Sequence, residues 1–230
     1  MRQATAIRGV LLDMDGTLVD SNDAHAHAWV EALAEHGFDV PFGRVRHLIG
    51  MGSDMLLPEV ADLSKDTPLG GQLSDRWGAI FRERYLPDLR PFPGARELVV
   101  RMKAGGLRVV VASSGERELL DALLALVGIG DLIDGATSAA DAARSKPAPD
   151  LVAAALERAA LPPAAALMVG DTPYDIAAAD KAGVRTLALR CGGFADAELA
   201  GALALYDDPA DLLARYDDSP LGSGADGGAR

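Results

Sequence analysis

The sequence predicts an α/β protein: a doubly wound parallel sheet carrying an inserted block of helices. Three observations predict it. Near the start, the apolar run Val10-Leu11-Leu12 ends in Asp13-Met14-Asp15-Gly16, the pattern of a buried strand that delivers acids to the edge where open α/β sheets bind ligands. From residue 107 onward, short apolar or β-branched runs alternate with helical periodicity, and that alternation builds a parallel sheet with helices on both faces. Between the two, residues 19–90 carry helical signals and no convincing strand. A block of that length is too long for a loop and reads as an inserted helical subdomain.

Taken in order, Thr17-Leu18-Val19 leads into Asp20-Ser21-Asn22-Asp23, side chains suited to capping a helix over 24–34 that Gly37 ends. Further helical stretches fall at 45–49, 54–63 and 72–85, with Gly50, Gly52, Pro58, Pro68, Gly70 and Gly71 as punctuation. Pro91-Phe92-Pro93-Gly94 marks the return to the main domain, and a helix over 95–103 stops at Gly105-Gly106. Strands are then expected at 107–112, 132–137, 165–170, 184–189 and, more weakly, 203–206. Helices are expected at 116–127, 149–160, 176–182 and 210–215. The Rossmann-like core is thus expected at 1–18 and 91–216, with a helical cap at 19–90. The polar, glycine-rich tail at 217–230 is expected to be disordered.

Composition narrows the function. The 230 residues are 49% hydrophobic, enough for a full core. The net charge of −12, from 22 basic and 34 acidic residues, argues against general binding to nucleic acid or an anionic membrane. It leaves room for a small phosphorylated ligand, which needs only local amides, one or two cations and a metal. No apolar run is long enough to span a bilayer, and the opening residues lack a signal-peptide core, so a cytoplasmic protein is expected. Cys191 is the only cysteine, which leaves no intrachain disulfide or thiolate cluster and suggests a small core residue. His25, His27, His36 and His47 lie in one early region without a zinc pattern.

The strand ends carry the chemistry. Asp13, a carboxylate held beside a divalent cation, can attack phosphorus and form an aspartyl-phosphate. Asp15, re-aimed by the turn that Gly16 allows, can protonate the leaving alcohol and later take a proton from water. Ser113 and the amide of Ser114 can bind phosphoryl oxygens ahead of a helix, and Lys146 supplies a point charge to the same oxygens. Asp171 and Asp175 offer hard oxygen ligands, or ligand-orienting groups, for Mg²⁺ together with Asp13. Singly, each has an ordinary explanation: a turn, a helix cap, a solvated Lys-Pro loop. A parallel sheet brings all of them to one edge, and that coincidence points to a site.

In that order, Asp13-Met14-Asp15-Gly16-Thr17, Ser113, Lys146-Pro147 and Gly170-Asp171-Thr172-Pro173-Tyr174-Asp175 resemble the four motifs of the haloacid dehalogenase-like hydrolase superfamily. The place of the helical insert is similar to that in its phosphoglycolate phosphatase and β-phosphoglucomutase-like branch. The resemblance implies a Rossmann-like core, Mg²⁺ dependence, a phosphoaspartyl intermediate, and a metal held by Asp13, the backbone carbonyl of Asp15 and Asp171. The expected activity is hydrolysis of a small phosphorylated metabolite, a phosphoglycolate- or sugar-phosphate-like monoester. True dehalogenases of the superfamily lack an acid at the position of Asp15. Its phosphonate hydrolases also lack it and use a cap lysine, whereas Lys65, the only lysine between Asp20 and Leu89, reads as surface loop. β-Phosphoglucomutases carry Glu-Asp where this chain has Gly170-Asp171, which favours a phosphatase over a mutase. A non-catalytic binding module would be signalled by loss of Asp13 or Asp15, and both are present. Discrimination among esters falls to the insert, where Arg46 or His47, beside Gly50 and Gly52, is expected to meet the leaving group.

Overall fold

The computed structural model describes residues 6–222. Its centre is a six-stranded parallel sheet in the order β3-β2-β1-β4-β5-β6. The strands are β1 (Gly9–Leu12), β2 (Arg108–Ala112), β3 (Gly135–Thr137), β4 (Ala166–Gly170), β5 (Arg185–Leu189) and β6 (Ala204–Tyr206). The first strand along the chain, β1, lies at the middle of the sheet, paired to β2 and β4. Both its faces are covered, which is why all four of its residues are buried and its sequence does not alternate.

Side-chain parity divides the core. Val10, Leu12, Val109, Val111, Leu167 and Val169 belong to one apolar cluster with α5 (Ala95–Ala104), α6 (Arg117–Val127) and α9 (Pro209–Ala214). Leu11, Val110, Ala112 and Met168 face the other way, against α7 (Asp150–Ala159) and α8 (Pro173–Lys181). Successive residues of a strand point to opposite faces, so the sheet is wound on both sides, as the alternation predicts.

The chain between β1 and β2 adds no strand to the sheet. It forms α1 (Asn22–Glu35), α2 (Phe42–Arg46), α3 (Ser53–Ala61) and α4 (Pro68–Ile80), the last continuing into a π-helical turn, Phe81–Tyr85. The segments entering and leaving it run side by side, with the Asp20 amide donating to the Arg90 carbonyl (3.1 Å) and the Phe92 amide to that of Leu18 (2.9 Å).

Some boundaries differ from expectation. Pro58 lies inside α3, within the stretch expected to be helical at 54–63 and without interrupting it, because burial of Leu56, Leu57 and Val60 outweighs the one lost amide donor. Gly70 and Gly71 lie inside α4 rather than before it. Thr67 caps that helix by accepting from the Gly70 amide (3.1 Å), Pro68 follows at its first position, and a glycine at 70 lets the first turn lie directly on the backbone of Ser64. The third strand starts at Gly135 rather than 132, where a side chain would collide with Arg158. The segment 217–222, expected to be disordered, packs: Leu221 is buried, and the buried Ser219 hydroxyl donates to the Tyr216 carbonyl (2.6 Å). One apolar side chain with a place in the core outweighs the polar character of its neighbours. The remainder of the expected tail, 223–230, lies outside the described residues. No described helix is long and apolar enough to cross a membrane.

Candidate active site

The carboxyl edge of β1 opens the site. The Asp13 amide continues the ladder by donating to the Val169 carbonyl (2.9 Å), and the chain then turns sharply, with the Gly16 amide donating to Val19 (2.8 Å) and that of Leu18 to Met14 (2.9 Å). Gly16 has φ 75°, and a side chain there would overlap Asn22 and Asp171. Only glycine fits both demands. The turn separates the two acids. Asp13, 6% exposed, accepts from the Lys146 ammonium, whereas Asp15 accepts from the Ser21 hydroxyl (2.6 Å) and lies 2.8 Å from His25 Nε2.

The other strand ends converge on Asp13. Lys146, 1% exposed, also pairs with Asp175 (2.7 Å). Asp175 is fixed by a capping box at the start of α8, accepting from the Thr172 amide (3.1 Å) and hydroxyl (2.7 Å). Asp171 accepts from the Thr17 hydroxyl (2.7 Å) and from the Asn22 side-chain Nδ2 (2.9 Å). One carboxylate oxygen from each of Asp13, Asp171 and Asp175 lies within 4.8 Å of the others, all three residues buried.

Three buried carboxylates thus share one ammonium. Burial raises Asp13 well above the usual carboxylate range, against the opposing pull of Lys146. Asp171 is pushed up to about 7, first by burial and then by the charge of Asp175. The Lys146 ammonium loses by burial but gains more from Asp13 and Asp175, so it stays charged above its ordinary range. Asp15 differs: burial works to raise it, but the His25 ring, the Ser21 hydroxyl and Lys146 outweigh that and hold it below its ordinary value. Excess negative charge among hard oxygens, out of water, suits a small divalent cation. The donor set therefore fits Mg²⁺.

The cavity above these groups is lined by Asp13, Asp15 and His25, by the aromatic walls Trp29 and Trp77, and by Ser114 from the loop after β2. Ser113 is buried, its Oγ accepting from the Gly115 amide (3.1 Å), and does not line the cavity. From the inserted helices the cavity receives Ile49, Gly50, Met51, Gly52, Ser53 and Asp54, and also Lys65. Lys65 sits in the turn its polar neighbours suggest, and it also lines this cavity.

Arg46 and His47 are not brought to the cavity, contrary to expectation. Arg46 donates to Asp23 (2.6 Å) and to the Gly192 carbonyl (2.6 Å). His47, its side chain 59% exposed, sits 3.5 Å from Glu198 and accepts from the Tyr174 hydroxyl through its carbonyl (2.7 Å). The buried Val45 turns inward, and the next two side chains consequently face the rim. Both clasp the insert to the core. The glycines that follow have the same use. Gly50, at φ 108°, comes so near Thr172 that a Cβ would lie 2.7 Å from its methyl carbon, and the Gly52 amide donates to the Ser145 hydroxyl (3.0 Å). Asp54 completes this contact by accepting from the Ser145 amide (3.0 Å) and hydroxyl.

Sequence reasoning missed Ser21, Asn22 and His25. They share the first turn of α1 and face the acids together, and His25 is held there by stacking on Phe81, ring centroids 3.9 Å apart. The spacing 21, 22, 25, one helical face directly after the Asp-Gly turn, was the available signal.

The chain matches the haloacid dehalogenase-like hydrolase family over residues 10–189. It is 31% identical over 219 residues to a phosphoglycolate phosphatase of Rhodospirillum rubrum, covering 89% of each chain. Its fold is similar to a solved hydrolase from Pseudomonas syringae, with TM-score 0.84, 29% identity, and 92% of this chain and 98% of that one covered. It is also similar to CbbY from Rhodobacter sphaeroides, solved in complex with phosphate, with TM-score 0.72, 26% identity, and 90% and 96% covered.

Proposed function

Because the chain belongs to the haloacid dehalogenase-like hydrolase family, we propose that it is a Mg²⁺-dependent phosphatase of small phosphorylated metabolites, with Asp13 as nucleophile and Asp15 as the acid and base. The observation that carries this reading is the division of labour between the two acids. Asp13 is buried against Lys146 and Asp171, whereas Asp15 is turned away by Gly16 onto its own partners, Ser21 and His25.

In the first half-reaction an Asp13 oxygen attacks phosphorus, the P–O bond to the alcohol breaks, and Asp15 gives the leaving oxygen a proton. In the second, Asp15 takes a proton from the water that attacks the aspartyl-phosphate, releasing inorganic phosphate and regenerating Asp13. Lys146 stays protonated and neutralises charge shared by Asp13 and the phosphoryl oxygens. The amide of Ser114, which lines the cavity just after β2, is assigned to those oxygens, while Ser113, buried beside it, holds the loop by accepting from the Gly115 amide. Asp13, the carbonyl of Asp15 and Asp171 would hold Mg²⁺, with Asp175 supporting the site through Lys146. Bound there, the ion supplies the positive charge that lets two anions approach each other.

Gly170 argues against a mutase. A Cβ there would lie 2.5 Å from Asp175 Cγ, so the glutamate that the mutases resembled by this chain carry before the aspartate does not fit the capping box. Residues 19–90 then act as a cap over a core whose described part runs over 6–18 and 91–216. The decisive experiment is release of inorganic phosphate from a panel of phosphorylated metabolites with Mg²⁺ and with a chelator; no release from any ester with Mg²⁺ overturns the reading.

Two further expectations follow from the geometry. Arg46→Ala, which loosens the clasp without touching the cavity, should lower kcat/KM on every ester by a similar factor of about 3 to 10, leaving the ranking of esters unchanged; a changed ranking would return Arg46 to the substrate. The second concerns metal and pH. Without the ion Asp171 titrates at about 7 against an ordinary 3.8. The folded protein therefore holds a proton that the unfolded chain has already released, and the metal-free protein loses stability as pH rises between those values. Mg²⁺ at about 100 times its Kd adds about 2.7 kcal/mol, or about 5–10 °C in melting temperature. Since protons compete for the same oxygens, thermal melts should show the larger Mg²⁺ shift at about pH 8 and the smaller at about pH 5.5.

A further inference from the structure

The chain has four lysines, and three of them are engaged: Lys103 with Asp134, Lys146 with Asp13 and Asp175, and Lys181 with the Pro147 carbonyl. Lys65 has neither an ion pair nor a hydrogen bond among the described residues, in a protein of net charge −12, and it lines the cavity that holds Asp13 and Asp15. The other carboxylates of that cavity are already committed. Asp54 accepts from Ser145, and Glu116 lies 3.6 Å from Arg82.

Lys65 is also held in place. The Thr67 hydroxyl that caps α4 donates to the Ser64 carbonyl (2.7 Å), and Gly70 approaches so closely that a Cβ would lie 3.0 Å from the Lys65 Cα. The loop is pinned on both sides of Lys65 by the helix that follows it.

A second, independent group among the residues that line the cavity lacks a partner. Trp77 is 8% exposed, and its indole N–H is buried with no acceptor. The ring is fixed by stacking on Trp29, centroids 5.0 Å apart. A buried donor without an acceptor costs free energy unless a ligand supplies one.

We propose that the Lys65 ammonium and the Trp77 indole N–H form a subsite for an anionic substituent, a carboxylate or a second phosphate, on the alcohol portion of the phosphate ester. The inference rests on the phosphatase reading above and deepens it. The metal-side residues take the phosphoryl group, and this pair selects esters by the charge of what leaves.

The test compares three esters: 2-phosphoglycolate, propane-1,3-diol bisphosphate and ethylene glycol monophosphate, the last uncharged in its alcohol portion. Lys65→Met should reduce kcat/KM for the preferred anionic ester relative to the neutral one by about 10- to 100-fold, mostly through KM. Lys65→Arg should keep most of the ratio, and Trp77→Phe, which keeps the ring and removes the donor, should lower it by about 3- to 10-fold. The anionic ester that loses its advantage identifies the substituent. Ratios within about twofold of wild type in Lys65→Met, or an equal fall on all three esters, overturn the inference and leave the phosphatase reading standing. A wild-type protein that hydrolyses none of the three, nor any ester of the wider panel, overturns both.

Discussion

Asp13→Asn is expected to lower turnover by about 10⁴-fold or more while the protein stays folded. The amide keeps the shape of the side chain but cannot attack phosphorus, and it is a poorer ligand for a cation. Folding survives because Lys146 is not left alone. Removing one partner of a buried ion pair ordinarily costs about 3–5 kcal/mol through the stranded charge, but here Asp175 remains 2.7 Å from the ammonium. A chain in which Lys146 itself is truncated has no such reserve, since Asp13 and Asp175 would then face each other unscreened. Single-turnover assays and thermal melts check this together; near-normal phosphate release by Asp13→Asn rules out Asp13 as the nucleophile.

Asp15→Asn is expected to lower kcat on alkyl phosphates by about 10²- to 10⁴-fold, with a smaller loss on p-nitrophenyl phosphate. An alkoxide needs a proton to depart, whereas p-nitrophenolate does not, so the first half-reaction is spared in the aryl ester and only the water-activating step suffers. Burst kinetics should then show aryl product released ahead of phosphate. Equal losses on alkyl and aryl esters would mean that Asp15 serves geometry rather than proton transfer. Its partners favour the ionised form, which suits the base of the second half-reaction. Binding of a phosphate dianion nearby must raise its affinity for the proton before it can act as an acid.

The chain announced its sheet plainly because buried parallel strands need unbroken apolar runs, and β1, β2, β4 and β5 each have one. The acids at their ends were legible for the same reason: Asp13 and Asp171 stand directly after buried strands, and a charge there needs a cause. The inserted helices were harder to read. Arg46 and His47 attract notice by residue type, but a side chain's direction depends on the turn of α2 and on Val45, which spacing alone did not fix. The sequence shows Lys65 only as part of a solvated loop because Ser64, Asp66 and Thr67 are the residues of one; the same residues build the turn and cap that hold Lys65 beside the cavity, which residue type does not reveal. His25 escaped because a lone histidine in a helix is ordinarily unremarkable, and its ring partner Phe81 lies more than fifty residues away.

The first turn of α1 has a bearing on how this protein can be re-engineered. By chain path the insert begins at residue 19, where it leaves the strand bundle. By function it begins later, since Ser21 and His25 hold Asp15 and Asn22 holds Asp171. These three residues travel with the insert but serve the sheet. A chimera that exchanges the insert at the covalent boundary would import foreign supports for both acids, so its failure would say nothing about the new specificity. Crossing over after His25, and keeping Phe81 to stack on its ring, transfers the recognition surface while the reaction centre stays native.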